Sequence, residues 1–149
     1  MYNLVKRQAE VEILPMAKSE NIGVISYSPL GGGLLTGKYN IDNTSNKNSL
    51  GRLHDNSKYK KRYGQNWMYN AAIALQKLAS ELNYDPIALA VAWVSHNDAI
   101  TAPIISARNL KQLKPSLDSI KISLDEDAYK LISNISPTPP PATDRLEEV

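Results

Sequence analysis

One run, Ile22-Gly-Val-Ile-Ser-Tyr-Ser-Pro-Leu-Gly-Gly-Gly-Leu-Leu-Thr-Gly-Lys38, limits what this chain can fold into more than any other stretch. Ile22, Val24, Ile25 and Tyr27 form a short apolar, β-branched segment of the kind found inside a parallel sheet, so a buried strand is expected here. Ser28 and Pro29 stop it. Pro29 has no N–H for a sheet ladder, while Gly31, Gly32 and Gly33 can take positive φ or let the backbone approach a ligand closely. A strand that carries one aromatic side chain into a glycine-rich loop is a usual place for a cofactor, and it is also an ordinary exit from a strand. These residues alone leave both readings open.

Composition narrows the class. A chain of 149 residues has room for one domain. Its 42% apolar and 21% charged residues match globular averages and exclude wholesale disorder and fibrous structure. Seventeen basic and 15 acidic side chains give a net charge of +2, too little for a nucleic-acid footprint over the whole surface. Lys58, Lys60, Lys61 and Arg62, interleaved with Tyr59 and Tyr63, are read as a solvated lid segment with snorkelling side chains, not as a nucleic-acid patch. The absence of cysteine excludes disulfides, thiolate metal sites and cysteine nucleophiles. His54 and His96 lie far apart, and no metal site is expected. No apolar stretch approaches the ~18 residues of a membrane span, and the N-terminus lacks a signal-peptide core, so a cytoplasmic protein with no membrane partner is expected.

Along the chain, residues 1 to 8 open abruptly, as if in mid-domain, with at most a strand stub at Tyr2 to Val5. Pro15 fits the first turn of a short helix carrying Ile13, Leu14 and Ala17. The region from Leu30 to Gln65 has neither helical nor strand period and is expected to be a long functional or disordered loop. Trp67, Ala71, Leu75, Leu78 and Leu82 mark one face of a helix over 66–82. Asp85 is an N-cap before Pro86, and Ile87 to Val94 is apolar nearly all round, which predicts a helix buried on several sides with Trp93 in the core. His96 stands where it can favour that helix's C-terminal dipole. Thr101 to Ser106 predicts a second buried strand, followed by a helix capped by Asn109 that carries Leu110, Leu113 and Leu117 and is limited or bent by Pro115. Ser123 to Glu126 has the form of a capping box before a helix with Leu131, Ile132 and Ile135 on its apolar face, and with Tyr129 as a packing residue. Pro137 ends that helix, and residues 137–149 form a proline-rich tail. Strands alternating with helices predict an α/β fold with a parallel sheet. Two strands and a stub can neither close a barrel nor cover their own edges.

Five blocks, in this order and spacing, resemble the C-terminal half of an aldo-keto reductase: Tyr2-Asn-Leu-Val-Lys-Arg7, Gly23-Val-Ile-Ser-Tyr-Ser-Pro-Leu30, Leu35-Thr-Gly-Lys-Tyr39, Ala88-Leu-Ala-Val-Ala-Trp93 and Ala102-Pro-Ile-Ile-Ser-Ala-Arg-Asn109. The segment Pro139 to Arg145 resembles the ending of bacterial members. The resemblance implies a partial (β/α)8 TIM barrel over residues 1–136, holding the end of the sixth strand, the seventh and eighth strands, their helices and a long cofactor loop at 30–65. It implies NADP as cofactor. Tyr27 matches the aromatic residue that stacks on nicotinamide. Ser28, Leu30, Gly31 and Gly33 match the loop along the pyrophosphate, where backbone amides face the anion. Lys38 matches a lysine that adds charge there, and Arg52 an arginine of the covering loop. Ser106, Arg108 and Gln112 match positions that hold the adenosine 2′-phosphate and adenine. Pro115 and Ser116 depart from the acidic or amide residue and Asn common in the family, which puts the adenine grip in question. The family's catalytic Asp, Tyr, Lys and His lie in its N-terminal half, so no catalytic residue is assigned in this chain.

The function this implies is the cofactor-binding part of an NADP-dependent oxidoreductase acting on carbonyls or alcohols, inactive alone, and arising from a truncated or split gene or from cleavage of a longer protein. The alternatives are a non-catalytic NADP-binding or adapter module and a degraded remnant. Expected partners are the dinucleotide and either an N-terminal half-barrel chain or a second copy.

Overall fold

The computed structural model describes residues 1–39, 53 and 56–141. Its sheet has two parallel strands, β1 (Ile25–Tyr27) and β2 (Ala102–Ile104), with Ile25 opposite Ala102, Ser26 opposite Pro103 and Tyr27 opposite Ile104. Helix α1 (Ile13–Ser19) precedes β1. Helices α2 (Ser57–Tyr63), α3 (Asn66–Glu81) and α4 (Pro86–His96) lie between the strands in chain order, and α5 (Leu110–Asp118) and α6 (Glu126–Ser133) follow β2. The parallel α/β arrangement expected from the alternation is what forms, as an open sheet.

Helix α4 organises the core. Asp85 caps it by accepting from the amides of Ile87 and Ala88, and Pro86 takes the first position, where its missing N–H has no cost. Ala88 to Val94 are all buried. Alternating alanines keep the helix slim enough to touch α3, α5, α6, β2 and the Gly31–Thr36 turn. Helix α3 starts and ends within one residue of the predicted span, and buries Ala71, Leu75 and Leu78 as its period requires. Trp93, fully buried, lies between Tyr2 and Tyr129 with ring centroids 5.1 and 5.6 Å away, and its Nε1 donates to Ser133 Oγ at 2.8 Å. Arg7 donates to the Ser133 carbonyl and pairs in two places with Glu10, which joins the first residues of the chain to α6. Burial first, then the neighbouring hydroxyl of Tyr129 and the Glu10 carboxylate, push the Tyr2 phenol well above its ordinary range.

Several expectations change. The strand β1 is parallel but not buried: Ile25 is 65% and Tyr27 48% exposed, because nothing among the described residues covers their face of the sheet. Tyr2 to Val5 is no strand, although the Tyr2 amide donates to the Tyr27 carbonyl as a ladder neighbour would. The region 30–65 is not all loop. A tight turn runs from Gly31 to Thr36, and Asn56 caps α2 by accepting from Lys58 N. Basic residues hide the period of α2, whose only fully buried side chain is Tyr63. Ser123 is not a cap. Asp125 takes that role through Ala128 N, which moves the start of α6 to Glu126 and its end to Ser133, so Ile135 lies past the helix and Pro137 does not end it. An aspartate caps as well as a serine and adds favourable charge at the helix N-terminus. Helix α5 is capped by Asn109 as predicted and runs through Pro115, yet Leu110 and Leu117 stay in solvent.

Candidate functional site

The parallel register places the residue after Tyr27 and the residues after Ile104 at the same end of the sheet. Most of the side chains singled out by sequence lie in the two segments that leave the sheet there. The Tyr27 ring shares a face with Ile25, since alternate residues of a strand point the same way, and it is half exposed there. Ser28 then takes φ of +60°, a left-handed value that non-glycine residues seldom adopt. Its carbonyl accepts from Asn3 Nδ2 at 2.8 Å and from the Gly31 amide at 3.0 Å. Asn3 is fully buried, and its Oδ1 in turn accepts from Val5 N at 3.1 Å. One asparagine thus braces the kink with both ends of its amide. Sequence reasoning passed over it; the available signal was a lone amide inside the apolar run Tyr2 to Val5.

The glycine-rich turn is folded on itself. The amides of Gly31 and Gly33 donate to the carbonyls of Ser28 and Leu30, so these two N–H groups are engaged within the loop. Leu30 packs against the core. Gly32, at φ +66°, lies so close to α2 that a Cβ on it would sit 2.7 Å from the Tyr59 ring. Lys38 returns to the turn: its ammonium lies 4.9 Å from the Tyr39 ring centroid and 3.1 Å from where a Cβ on Gly33 would be. A positive charge is therefore held beside Gly33.

Beyond β2, Ser106 and Arg108 are exposed. Asn109 Oδ1 accepts from Gln112 N at 3.0 Å, and Gln112 Oε1 accepts from the Arg108 amide at 3.2 Å. The two side chains satisfy two amides reciprocally at the start of α5, a variant of the capping box. Gln112 thus holds Arg108 by its backbone and leaves the guanidinium in solvent. A hydroxyl, a guanidinium and a helix N-terminus within this short stretch supply groups that suit an anion. Arg52 lies outside the described residues. Among the described residues no group of His, Asp and Glu has the makings of a metal site, and no helix is long and apolar enough to cross a membrane.

A surface groove of about 370 Å³ lies elsewhere, between α1, α6 and the segment leading into β2. Arg7, Glu10, Lys18 and Asp98 on its walls are already paired with one another.

Comparison with known proteins adds four likenesses. The model of the aldo/keto reductase family matches residues 1–137. An uncharacterised oxidoreductase of Bacillus subtilis (strain 168) is 33% identical over 141 residues, covering 93% of this chain and 39% of that protein. Aflatoxin B1 aldehyde reductase member 2 of Mus musculus is 32% identical over 130 residues, 78% of this chain and 35% of that one. Among solved structures, the glycerol dehydrogenase of Gluconobacter oxydans superposes with a TM-score of 0.73 at 30% identity, over 97% of this chain and 44% of its own. The chain thus spans less than half the length of each of these relatives.

Proposed function

Since this chain belongs to the aldo/keto reductase family, a family of oxidoreductases that generally use a nicotinamide cofactor, we propose that it forms the NADP-binding part of a carbonyl or alcohol oxidoreductase. The observation that supports this reading is the parallel register of β1 and β2, from which the Ser28 to Gly33 and Ser106 to Arg108 segments leave the sheet at the same end. When bound, the cofactor supplies or accepts a hydride. The half-exposed Tyr27 ring offers a flat apolar face for the nicotinamide, a contact worth about 0.5–1.5 kcal/mol beyond area burial. Because the Gly31 and Gly33 amides are engaged within their loop, the charge opposite the pyrophosphate comes chiefly from Lys38, and the family resemblance adds Arg52 to it. Ser28 and Leu30 fix the course of the loop. Ser106 and Arg108 take the 2′-phosphate, and a forked guanidinium suits a dianion better than a ribose hydroxyl. That pair is what favours NADP over NAD. By the family resemblance, proton transfer belongs to residues outside this chain.

The test is titration of the chain with NADPH and NADH, followed by tryptophan fluorescence and calorimetry. Saturable binding that prefers NADPH is expected, and Arg108→Met should weaken NADPH by about tenfold or more while barely changing NADH. Absence of binding by a folded chain, or equal loss for both nucleotides, overturns the reading.

A further inference from the structure

Positive charge in this chain is concentrated around the glycine-rich turn and the helix seated on it. Residues 38–62 hold seven of the 17 basic side chains and two of the 15 acidic ones, a net +5, so the rest of the chain carries −3. Four of those seven, Lys58, Lys60, Lys61 and Arg62, stand in solvent on helix α2. None of the four pairs with a carboxylate among the described residues, whereas Lys18, Lys77 and Lys114 on other helices each do. The arrangement disfavours its own helix. Lys58 meets like charge at Lys61 and Arg62, its neighbours on the helix surface, and it lies in the first turn, where the dipole opposes a cation. The dipole accounts for Lys60, Lys61 and Arg62 in the last turn, but not for Lys58. Two tyrosines fix α2 on the turn: ring atoms of Tyr59 and Tyr63 lie 2.7 and 3.3 Å from where a Cβ on Gly32 would sit.

We propose that α2 is an electrostatic collector for the anionic dinucleotide: Lys58, Lys60 and Lys61 speed its arrival at the glycine-rich turn without gripping it once bound. This rests on the cofactor reading and adds to it the route by which the cofactor arrives. A seven-residue helix is about 10 Å long, so each charge on α2 acts within one or two Debye lengths of the turn, each about 8 Å at physiological salt. The negatively charged remainder of the chain repels the same ligand, which gives the field a direction. Lys38, held beside Gly33, meets the anion at the end of that path. Arg62 is left out of the collector because its guanidinium, 5.7 Å from the Tyr59 ring centroid, supports the ring that seats on Gly32. Steering of this kind raises association rates by about 10–10³-fold and fades steeply with salt, while dissociation follows the contacts of the bound state. The 2′-phosphate adds about 1.5–2 negative charges, so NADPH is steered more strongly than NADH.

The experiment is stopped-flow mixing of the chain with NADPH, read by nucleotide fluorescence over a series of salt concentrations. The wild-type association rate should fall about tenfold or more between roughly 20 and 500 mM salt, and less for NADH. The triple variant Lys58→Gln, Lys60→Gln, Lys61→Gln should lose about tenfold in association rate at low salt, match the wild type at high salt and keep its dissociation rate within about twofold. Glutamine is a good helix former and all three positions are exposed, so circular dichroism should not change. A control, Lys18→Gln, Lys77→Gln, Lys130→Gln, removes the same charge from α1, α3 and α6 and should leave the association rate within about twofold. An equal loss in the control means that net charge alone acts, and a loss carried by dissociation means that the lysines grip the bound cofactor. Either result overturns the proposal, as does an association rate indifferent to salt, and in each of these NADPH still binds and the cofactor reading stands. A folded chain that binds no NADPH at any salt overturns the cofactor reading and the collector together.

Discussion

Asn3 Nδ2 donates to the carbonyl of Ser28 across 25 positions of sequence, and this bond fixes the point where β1 turns into the glycine-rich loop. Ser28 holds φ of +60° at that point, a conformation costing on the order of 1–3 kcal/mol unless its surroundings enforce it. The buried amide supplies that enforcement, and the Gly31 amide on the same carbonyl adds to it. The first residues of the chain thereby set the geometry of the loop proposed to receive the dinucleotide.

Asn3→Ala leaves the Val5 amide and the Ser28 carbonyl each short of a partner, and should lower stability by about 1–3 kcal/mol in urea unfolding. NADPH affinity should fall more than this loss of folded protein explains. Asn3→Ser, too short to span both groups, should behave like alanine. Wild-type stability in either variant would show that Ser28 is held by the rest of the loop.

Gly32 and Tyr59 form a second coupled pair. Any side chain at 32 meets both the positive φ and the ring, so Gly32→Ala should destabilise by roughly 1 kcal/mol or more. Combining it with Tyr59→Ala removes the collision but not the backbone strain. The double mutant should therefore recover part of the loss, which a double-mutant cycle measures as a coupling of about 0.5 kcal/mol or more. Strict additivity would mean that α2 does not rest on the turn.

Ser26 gives a prediction of opposite sign. Its Oγ is buried and has no hydrogen-bond partner among the described residues. Replacing it by alanine removes a desolvated hydroxyl at the cost of little volume, so Ser26→Ala should be neutral or stabilising by up to about 1 kcal/mol. A clear loss of stability would reveal a partner for that hydroxyl.

Alkaline pH should unfold this protein through its tyrosines. Burial raises the phenols of Tyr2, Tyr63, Tyr69 and Tyr129, so the folded state favours their neutral forms. A raised folded pKa contributes stability that is fully present below the unfolded value of about 10 and is lost as pH climbs from there towards the folded pKa. Melting temperature should therefore be insensitive to these groups at neutral pH and fall above about pH 10, together with the rise of tyrosinate absorbance. Tyr2→Phe should lower stability at neutral pH, where it loses its bond to Glu10, and flatten the alkaline decline. An unchanged alkaline slope would remove Tyr2 as a main contributor.

Much of this architecture was legible because periodicity and capping act locally. The Leu75 and Leu78 stripe of α3, the Asp85 cap with Pro86, and the Asn109 cap can each be found within one or two helical turns of sequence. What escaped depends on contacts distant in sequence. Nothing near Asn3 reveals that it braces Ser28, and nothing near Tyr59 reveals that it seats on Gly32. The exposure of Ile25 and Ile104 was hidden for a related reason: a β-branched run states that a side chain is apolar, not whether something lies over it. The comparisons establish the family.

Gln112 separates two roles that sequence merged. Its side-chain oxygen accepts from the Arg108 amide, so its first effect is on the loop that carries the guanidinium. Gln112→Glu keeps an acceptor at the same place, and the charge it adds suits a helix N-terminus, so stability should hold or rise by about 0.3–1 kcal/mol. That same negative charge stands beside the proposed 2′-phosphate and should weaken NADPH several-fold while leaving NADH nearly unchanged. Gln112→Ala loses the acceptor without adding charge, and should cost about 0.5–2 kcal/mol of stability as a lost helix cap does. Its NADPH affinity should fall less than that of the glutamate variant. If alanine instead weakened NADPH and NADH equally and more than glutamate did, Gln112 would be gripping the adenine directly, not positioning Arg108.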